Sequence, residues 1–490
     1  MLRFDKILRL KTLPFFAIIA LMSGCEDFTG LNTGLGIKDG NLYEALINSG
    51  ADKNRDGRIS KAEAESVISL DLSHTSFKSL EGLENFTNLS ELRLIESNIT
   101  SLDLSQFSKL EELYISSNEL LMLDLSNNPK LEALDVSFNN LTDLDISNNP
   151  GLEFLNCEEN QLLNVELPDS SKLEYLNVAN NQLTSLDISD CKDLNQLYCS
   201  MNEITNLNIS GCTSLTQFNC EMNPLTSLDL SNCINLTEFI MFATPLKTLN
   251  FSGCESLTNL YCPGNELKSL DISGCTNLKR INCYENQLSS LDLPEPSALI
   301  ELICAYNEIS MLDVSNCPLL SELNCELNEL TSIDVSNCTQ LTRFYCGINM
   351  LTNLNVSNCG ELRYLSCLDN FITSLNVTNS SNLNYLDCSD NRIKSLTLTG
   401  CYDLNVLLCA ANQLKNLEVS DNKNLTLLSC GSNWISSLDL SNNNLINSLE
   451  ISNMPDISKV CVWTMPFPPQ GLTLSKGGSP NVYFATDCSN

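Results

Sequence analysis

The sequence predicts a parallel β-solenoid in which one 21-residue coil is repeated along most of the chain. Three observations carry this prediction. From Ile99 the period holds without a break through 17 units, which start at 99, 120, 141 and so on to 435. Apolar residues fall at positions 1, 4, 6, 12, 15 and 17 of each unit. Asn stands at position 20 in 15 of the 17, with Thr244 and Met454 the exceptions. Each unit is also doubled: positions 12–20 read L-x-x-L-x-C-x-x-N, and positions 1–9 read L-x-x-L-x-L-x-x-C/N. A strict period over such a length marks a solenoid, whose units bury their apolar faces only against their neighbours.

The first 24 residues, "MLRFDKILRLKTLPFFAIIALMSG", read as a leader. Arg3, Lys6, Arg9 and Lys11 precede an apolar run from Leu13 to Met22. That run is too short to span a bilayer and suits a secretory signal. The "LMSGC" end resembles a bacterial lipobox, which implies lipidation of Cys25. Acidic Glu26 and Asp27 resemble the outer-face display tag of Bacteroidetes-type lipoproteins. The expected location is therefore the bacterial outer membrane, lipid-anchored and facing the exterior. Residues 25–40 form a tether containing several glycines.

Residues 41–68 are expected to form a helix–loop–helix cap. Its loop, residues 52–63, "DKNRDGRISKAE", fills the pattern D-x-[DN]-x-[DN]-G-x5-E. Asp52, Asn54 and Asp56 would supply side-chain oxygens, Arg58 its backbone carbonyl, Ser60 a direct or water-mediated ligand, and Glu63 a bidentate carboxylate. The segment resembles a single EF-hand loop, which implies calcium. The alternative is a metal-free acidic turn. Placed directly before the first strand, the loop would rigidify the open end of the solenoid.

The solenoid is assigned to residues 69–455. In both halves of a unit the L-x-L core has period 2, the signature of a strand with alternate residues turned inward. Two short parallel strands per coil are expected, with neighbouring coils ~4.8 Å apart and the whole about 80 Å long. An inward Asn amide at position 20 can satisfy the backbone groups of a buried turn and bridge to the next coil. The pattern resembles the leucine-rich-repeat superfamily, specifically its 21-residue nested "irreko" subclass, over about residues 67–455. That resemblance implies a curved solenoid used for recognition rather than catalysis. Residues 456–490, with "VCVWTMPFPPQGLTL", leave the period and are expected to form a β-type C-terminal cap over the last open edge.

The chain holds 24 cysteines. Twelve stand at position 17, which elsewhere takes Ile115, Val136, Val178 or Met241. Nine stand at position 9, which elsewhere takes Asn128, Asn149, Asn422 or Asn443. A site that accepts valine is a packing site, and free cysteine behaves as a small hydrophobe. In-register Cβ atoms ~4.8 Å apart are too distant for a disulfide, and a straight ladder cannot converge on zinc. These thiols are expected to be reduced and inert. Cys461 and Cys488 stand apart and are expected to form a disulfide, the alternative being two unpaired thiols.

With 27 basic against 60 acidic residues, a net charge of −33 argues against nucleic acid and anionic lipid as partners. The only histidine is His74, and no nucleophile, metalloprotease or phosphate-loop motif occurs. No enzymatic function is expected. On the face that the family resemblance makes concave, positions 14, 16 and 18 carry the candidate ligand-binding residues. These are Phe154, Tyr175, Tyr261, Arg280, Tyr284, Arg343, Tyr345, Tyr364 and Tyr385. Tyr and Arg are favoured interface anchors. Three readings follow: a monomeric surface adhesion protein that recognises a protein, a glycan-binding accessory of polysaccharide uptake, or a structural surface component.

Overall fold

The computed structural model describes residues 35–168, 172–242, 244–295 and 297–488; the leader and Cys25 lie outside the described residues. Helix α1 (Gly40–Asn48) starts where Asp39 Oδ1 accepts from the N–H groups of Asn41 and Leu42. Its Leu42 and Leu46 are fully buried. Helix α2 (Lys61–Ser66) opens on a reciprocal capping box between Ser60 and Glu63. Strand β1 (Ser69–Asp71) then pairs in parallel with β2 (Glu91–Arg93), Leu70 facing Leu92. That first step is 22 residues. The next, Leu92 to Leu113, is 21, and this step continues down the solenoid.

The L-x-C half of every coil contributes one three-residue strand to a single 20-stranded parallel sheet. In every triplet but the last, Thr473–Ser475, the middle side chain is buried; the flanking two are mostly partly exposed. Beneath them, Leu, Ile, Phe and Cys side chains form one continuous core along the described chain. The L-x-L half differs from the two-sheet expectation. It pairs only in short groups, such as Ser185–Asp187 with Asn206–Asn208 and Ser374–Asn376 with Ser395–Thr397. A local side-chain bond follows paired and unpaired triplets alike. Asp at position 5 accepts from the backbone N–H two residues on, as Asp313 does from Ser315 and Asp334 from Ser336. The same bond closes triplets that do pair, Asp187 accepting from Ser189 and Asp439 from Ser441, so it caps the turn without deciding which triplets pair.

The asparagine column works as a brace. Asn202 Nδ2 donates to the carbonyls of Val178 in the preceding coil and of Cys199 and Ser200 in its own. Its Oδ1 accepts from Leu183 N–H. The same set recurs at Asn286, Asn349 and Asn412. Thr244 breaks it. Leu246 N–H turns to the Thr244 carbonyl (2.7 Å), and the buried Oδ1 of Asn265 in the next coil is left without a partner.

At the C-terminus the β-type segment extends the solenoid instead of lying across its end. Lys459–Cys461 pairs with Ser437–Asp439, Thr473–Ser475 with Ser448–Glu450, and Tyr483–Ala485 with Lys459–Cys461. Its hydrophobic residues sit in register with the coils below, so pairing onward buries them. A disulfide joins Cys461 and Cys488, Cα atoms 5.7 Å apart. Among the described residues no helix is long and apolar enough to cross a membrane.

Candidate functional site: the exposed face of the long sheet

Parallel in-register stacking turns each sequence position into a row of side chains one coil apart. Position 14 gives the row Arg280, Glu301, Glu322, Arg343, Tyr364, Tyr385 on six successive coils. Arg280 lies 3.5 Å from Glu301, and Arg343 lies 3.0 Å from Glu322. Both arginines are therefore engaged within the face. Tyr364 and Tyr385 stack with ring centroids 4.0 Å apart and planes 3° from parallel. Tyr345, in position 16, packs against Tyr364 at 5.0 Å.

Nearer the N-terminus Phe154 and Tyr175 stack at 4.6 Å, and Tyr198, at position 16 of the next coil, packs against Tyr175 at 5.7 Å. Tyr261 and Tyr284 make no ring contact with each other; Tyr284 instead meets Tyr306 at 6.0 Å. The nine residues thus separate into two aromatic stacks, two arginine–glutamate pairs and a Tyr284–Tyr306 pair, with Tyr261 apart from the other rings.

Glu326, in position 18, lies among these rings. Ser366 Oγ donates to its Oε1 at 3.0 Å. Burial pushes its carboxyl above the ordinary range, and neighbouring Asp387 adds to the rise; bonds from Ser366 and the Gly347 N–H oppose it. A groove of about 840 Å³ borders the stack on one side, lined by Glu322, Arg343, Arg363, Tyr364, Asn384 and Asp403.

On the other side runs a row that sequence reasoning did not single out. Position 19 takes a left-handed backbone in nearly every coil. Asn180, Asp369 and Asp390 suit that conformation, but Tyr306, Leu327 and Ile348 adopt it too, at φ 60°, 53° and 52°. Such φ values are outliers for bulky and β-branched residues. These three are also exposed, at 49%, 37% and 39%. Column composition could not reveal the row, because position 19 is not apolar in most coils and φ is not written in residue type.

The acidic loop folds around its own carboxylates. Asp52 accepts from the N–H groups of Arg55, Asp56 and Gly57, Asn54 from Asp56, and Asp56 from Arg58. Glu63 reaches back across the loop, accepting from Asn54 and Ser60. Those bonds hold its carboxyl below the ordinary range, the Ser60 N–H contributing most. Ile59 is buried at 1% and anchors the loop to the core. The donor set is all oxygen, the chemistry that a hard cation such as calcium takes.

Every free cysteine of the described residues is buried. Burial pushes the Cys359 and Cys401 thiols up to about 11 and the Cys275 and Cys283 thiols to about 12. A thiol so raised is neither nucleophile nor ready ligand. His74 is exposed, its Nδ1 3.1 Å from Glu96 Oε2.

No protein-family model matches the chain, and no curated protein does. Among solved structures it is similar to the plant peptide hormone receptor RGFR1 in complex with RGF2, at 20% identity over 87% of this chain and 81% of that one, TM-score 0.58. It is similar to YopM from Yersinia enterocolitica, at 20% identity over 90% and 100%, TM-score 0.51. A third likeness is to the functional domain of InlJ from Listeria monocytogenes, which includes a cysteine ladder, at 27% identity over 87% and 77%, TM-score 0.36. The first two bear on the fold alone. With the unbroken period and the 20-stranded parallel sheet, they show that the fold is a parallel β-solenoid of the leucine-rich-repeat type.

Proposed function

We propose that the protein is a non-catalytic recognition scaffold, displayed on the outer membrane through a lipid on Cys25, that binds a protein partner on the exposed face of the long sheet. The observation that carries this reading is the Tyr345–Tyr364–Tyr385 stack. Rigid aromatic rings held on a sheet give large contact area at little ordering cost, the property of interface anchors. The fold is compatible with this, since it also serves a peptide hormone receptor. We further propose that Asp52, Asn54, Asp56, Ser60 and Glu63, with the Arg58 carbonyl, hold calcium and stiffen the N-terminal end.

The test is binding of the purified chain to parallel protein and glycan arrays, beside the variant Tyr345→Ala/Tyr364→Ala/Tyr385→Ala. Protein binding that falls at least about tenfold in the variant supports the reading, since aromatic anchors each carry 1.4 kcal/mol or more, roughly a factor of ten. Glycan binding that falls in the variant, with no protein bound, replaces it with the glycan accessory.

A further inference from the structure

Tyr306, Leu327 and Ile348 carry two costs at once. Each holds a left-handed backbone that glycine, asparagine or aspartate would adopt with less strain, and each exposes apolar surface. The same column holds Gly264, Asp369 and Asp390 as well as Phe138, Met201 and Met222, so the fold does not require bulky residues there, and three successive coils carry them at 306, 327 and 348. The backbone has its own reason for the geometry: Leu327 N–H bonds the Gly347 carbonyl and Ile348 N–H the Leu368 carbonyl of the next coil. The choice of side chain has no such reason within the chain. Backbone strain that a fold does not need points to function.

The surroundings of the ridge are acidic. Glu285, Glu308, Glu329, Asp369 and Asp390 are exposed on the same edge of the coils, and among the described residues none forms an ion pair. Between ridge and tyrosine stack lies Glu326, also without a basic partner among the described residues, with Asp387 near it. Arg392 is held over the Phe371 ring, 4.4 Å from its centroid. The strip therefore offers apolar contacts spaced one coil apart between carboxylates that lack counter-charges. Coil spacing of ~4.8 Å is close to the 5.4 Å pitch of an α-helix, so side chains on one face of a helix lying along the strip would meet successive coils.

Resting on the protein-recognition reading above, we propose that the strip Tyr306–Leu327–Ile348 with Glu326 docks a basic amphipathic helical segment of the partner. Its apolar side chains lie on the ridge, and its lysine or arginine heads meet Glu326 and the rim carboxylates. A second copy of this chain, at −33, would bring like charge to the same strip.

The test uses a labelled amphipathic Leu/Lys peptide of about four turns, its Leu/Glu and Ser/Lys analogues, and the full chain, read by fluorescence anisotropy. The Leu/Lys peptide is expected to bind, weakening with added salt, while both analogues bind at least about tenfold more weakly. Leu327→Asn/Ile348→Asn should weaken binding about tenfold and raise Tm by about 1–2 °C, because Asn relieves the left-handed strain. Glu326→Gln should weaken the Leu/Lys peptide severalfold. Unchanged binding in Leu327→Asn/Ile348→Asn, a lowered Tm in that variant, or equal binding of the Ser/Lys peptide each overturns the proposal. So does self-association of the chain that the ridge variant abolishes. If only the tyrosine variant loses the peptide, the ridge is excluded and protein recognition stands. If neither variant changes peptide binding, both readings fail.

Discussion

At position 9, Asn149 Nδ2 donates to the Leu125 carbonyl one coil back, and the Cys254 thiol donates to the equivalent Leu230 carbonyl at 3.3 Å. The two residue types alternate because both supply that one donor. They differ in what remains: Asn128, Asn149, Asn422 and Asn443 each donate a second bond to the carbonyl 21 residues back, Asn149 to Asn128 at 2.8 Å, and each leave a buried Oδ1 without a partner; cysteine has neither. Asn149→Cys sets the loss of that second bond against relief of the partnerless oxygen, so it should change stability by no more than about 1 kcal/mol, read from denaturant unfolding. Position 20 is the opposite case. Asn202→Ala removes one acceptor and three donated bonds from a buried turn, so it should cost about 2–4 kcal/mol. The sequence made the burial of Cys275 and Cys283 legible, because valine and asparagine take their places elsewhere. It could not show the thiol's bond, which depends on where a carbonyl 24 residues earlier points.

Within one coil, the two L-x-L halves look alike in sequence yet only one forms an unbroken sheet. The apolar pattern was legible; which L-x-L triplets pair was not, because paired Asp187 and unpaired Asp313 make the same bond to the serine two residues on. That bond has a pH signature. Asp103, Asp124, Asp145, Asp271 and Asp313 are held below the ordinary carboxylate range by the hydroxyl and N–H of the serine two residues on. A folded value below the unfolded one means that ionisation stabilises the fold. The stabilisation is complete above the unfolded value near pH 4 and is lost as pH falls through the folded values. Tm should hold from pH 7 to about 5 and drop below about 4, less steeply in Asp271→Asn/Asp313→Asn. Raised Glu221 and Glu326 act in the opposite direction and blunt the drop. At the N-terminal cap, calcium removal should lower Tm, as expected when a ligand binds only the folded state. A melt unmoved by chelator, and by Glu63→Gln, would remove calcium from the account.

Across the whole molecule the 21 free cysteines of the described residues form part of one continuous core. A thiol reagent should find none of them in the native state and all of them after denaturation, while Cys461 and Cys488 react only once reduced. The solenoid and its period were legible because each unit repeats the same burial problem. The recognition face was legible in its aromatic anchors and missed in its position-19 ridge, since repetition reveals what coils share and hides what single coils do differently. The claim that recognition belongs to the exposed face of the long sheet is tested most directly by hydroxyl-radical footprinting of the chain with a bound protein partner. Protection should concentrate on Tyr345, Tyr364, Tyr385, Leu327 and Ile348, and leave the turns at Ser315 and Ser336 unchanged. Protection confined to those turns, with the tyrosines still oxidised at the free rate, would contradict it.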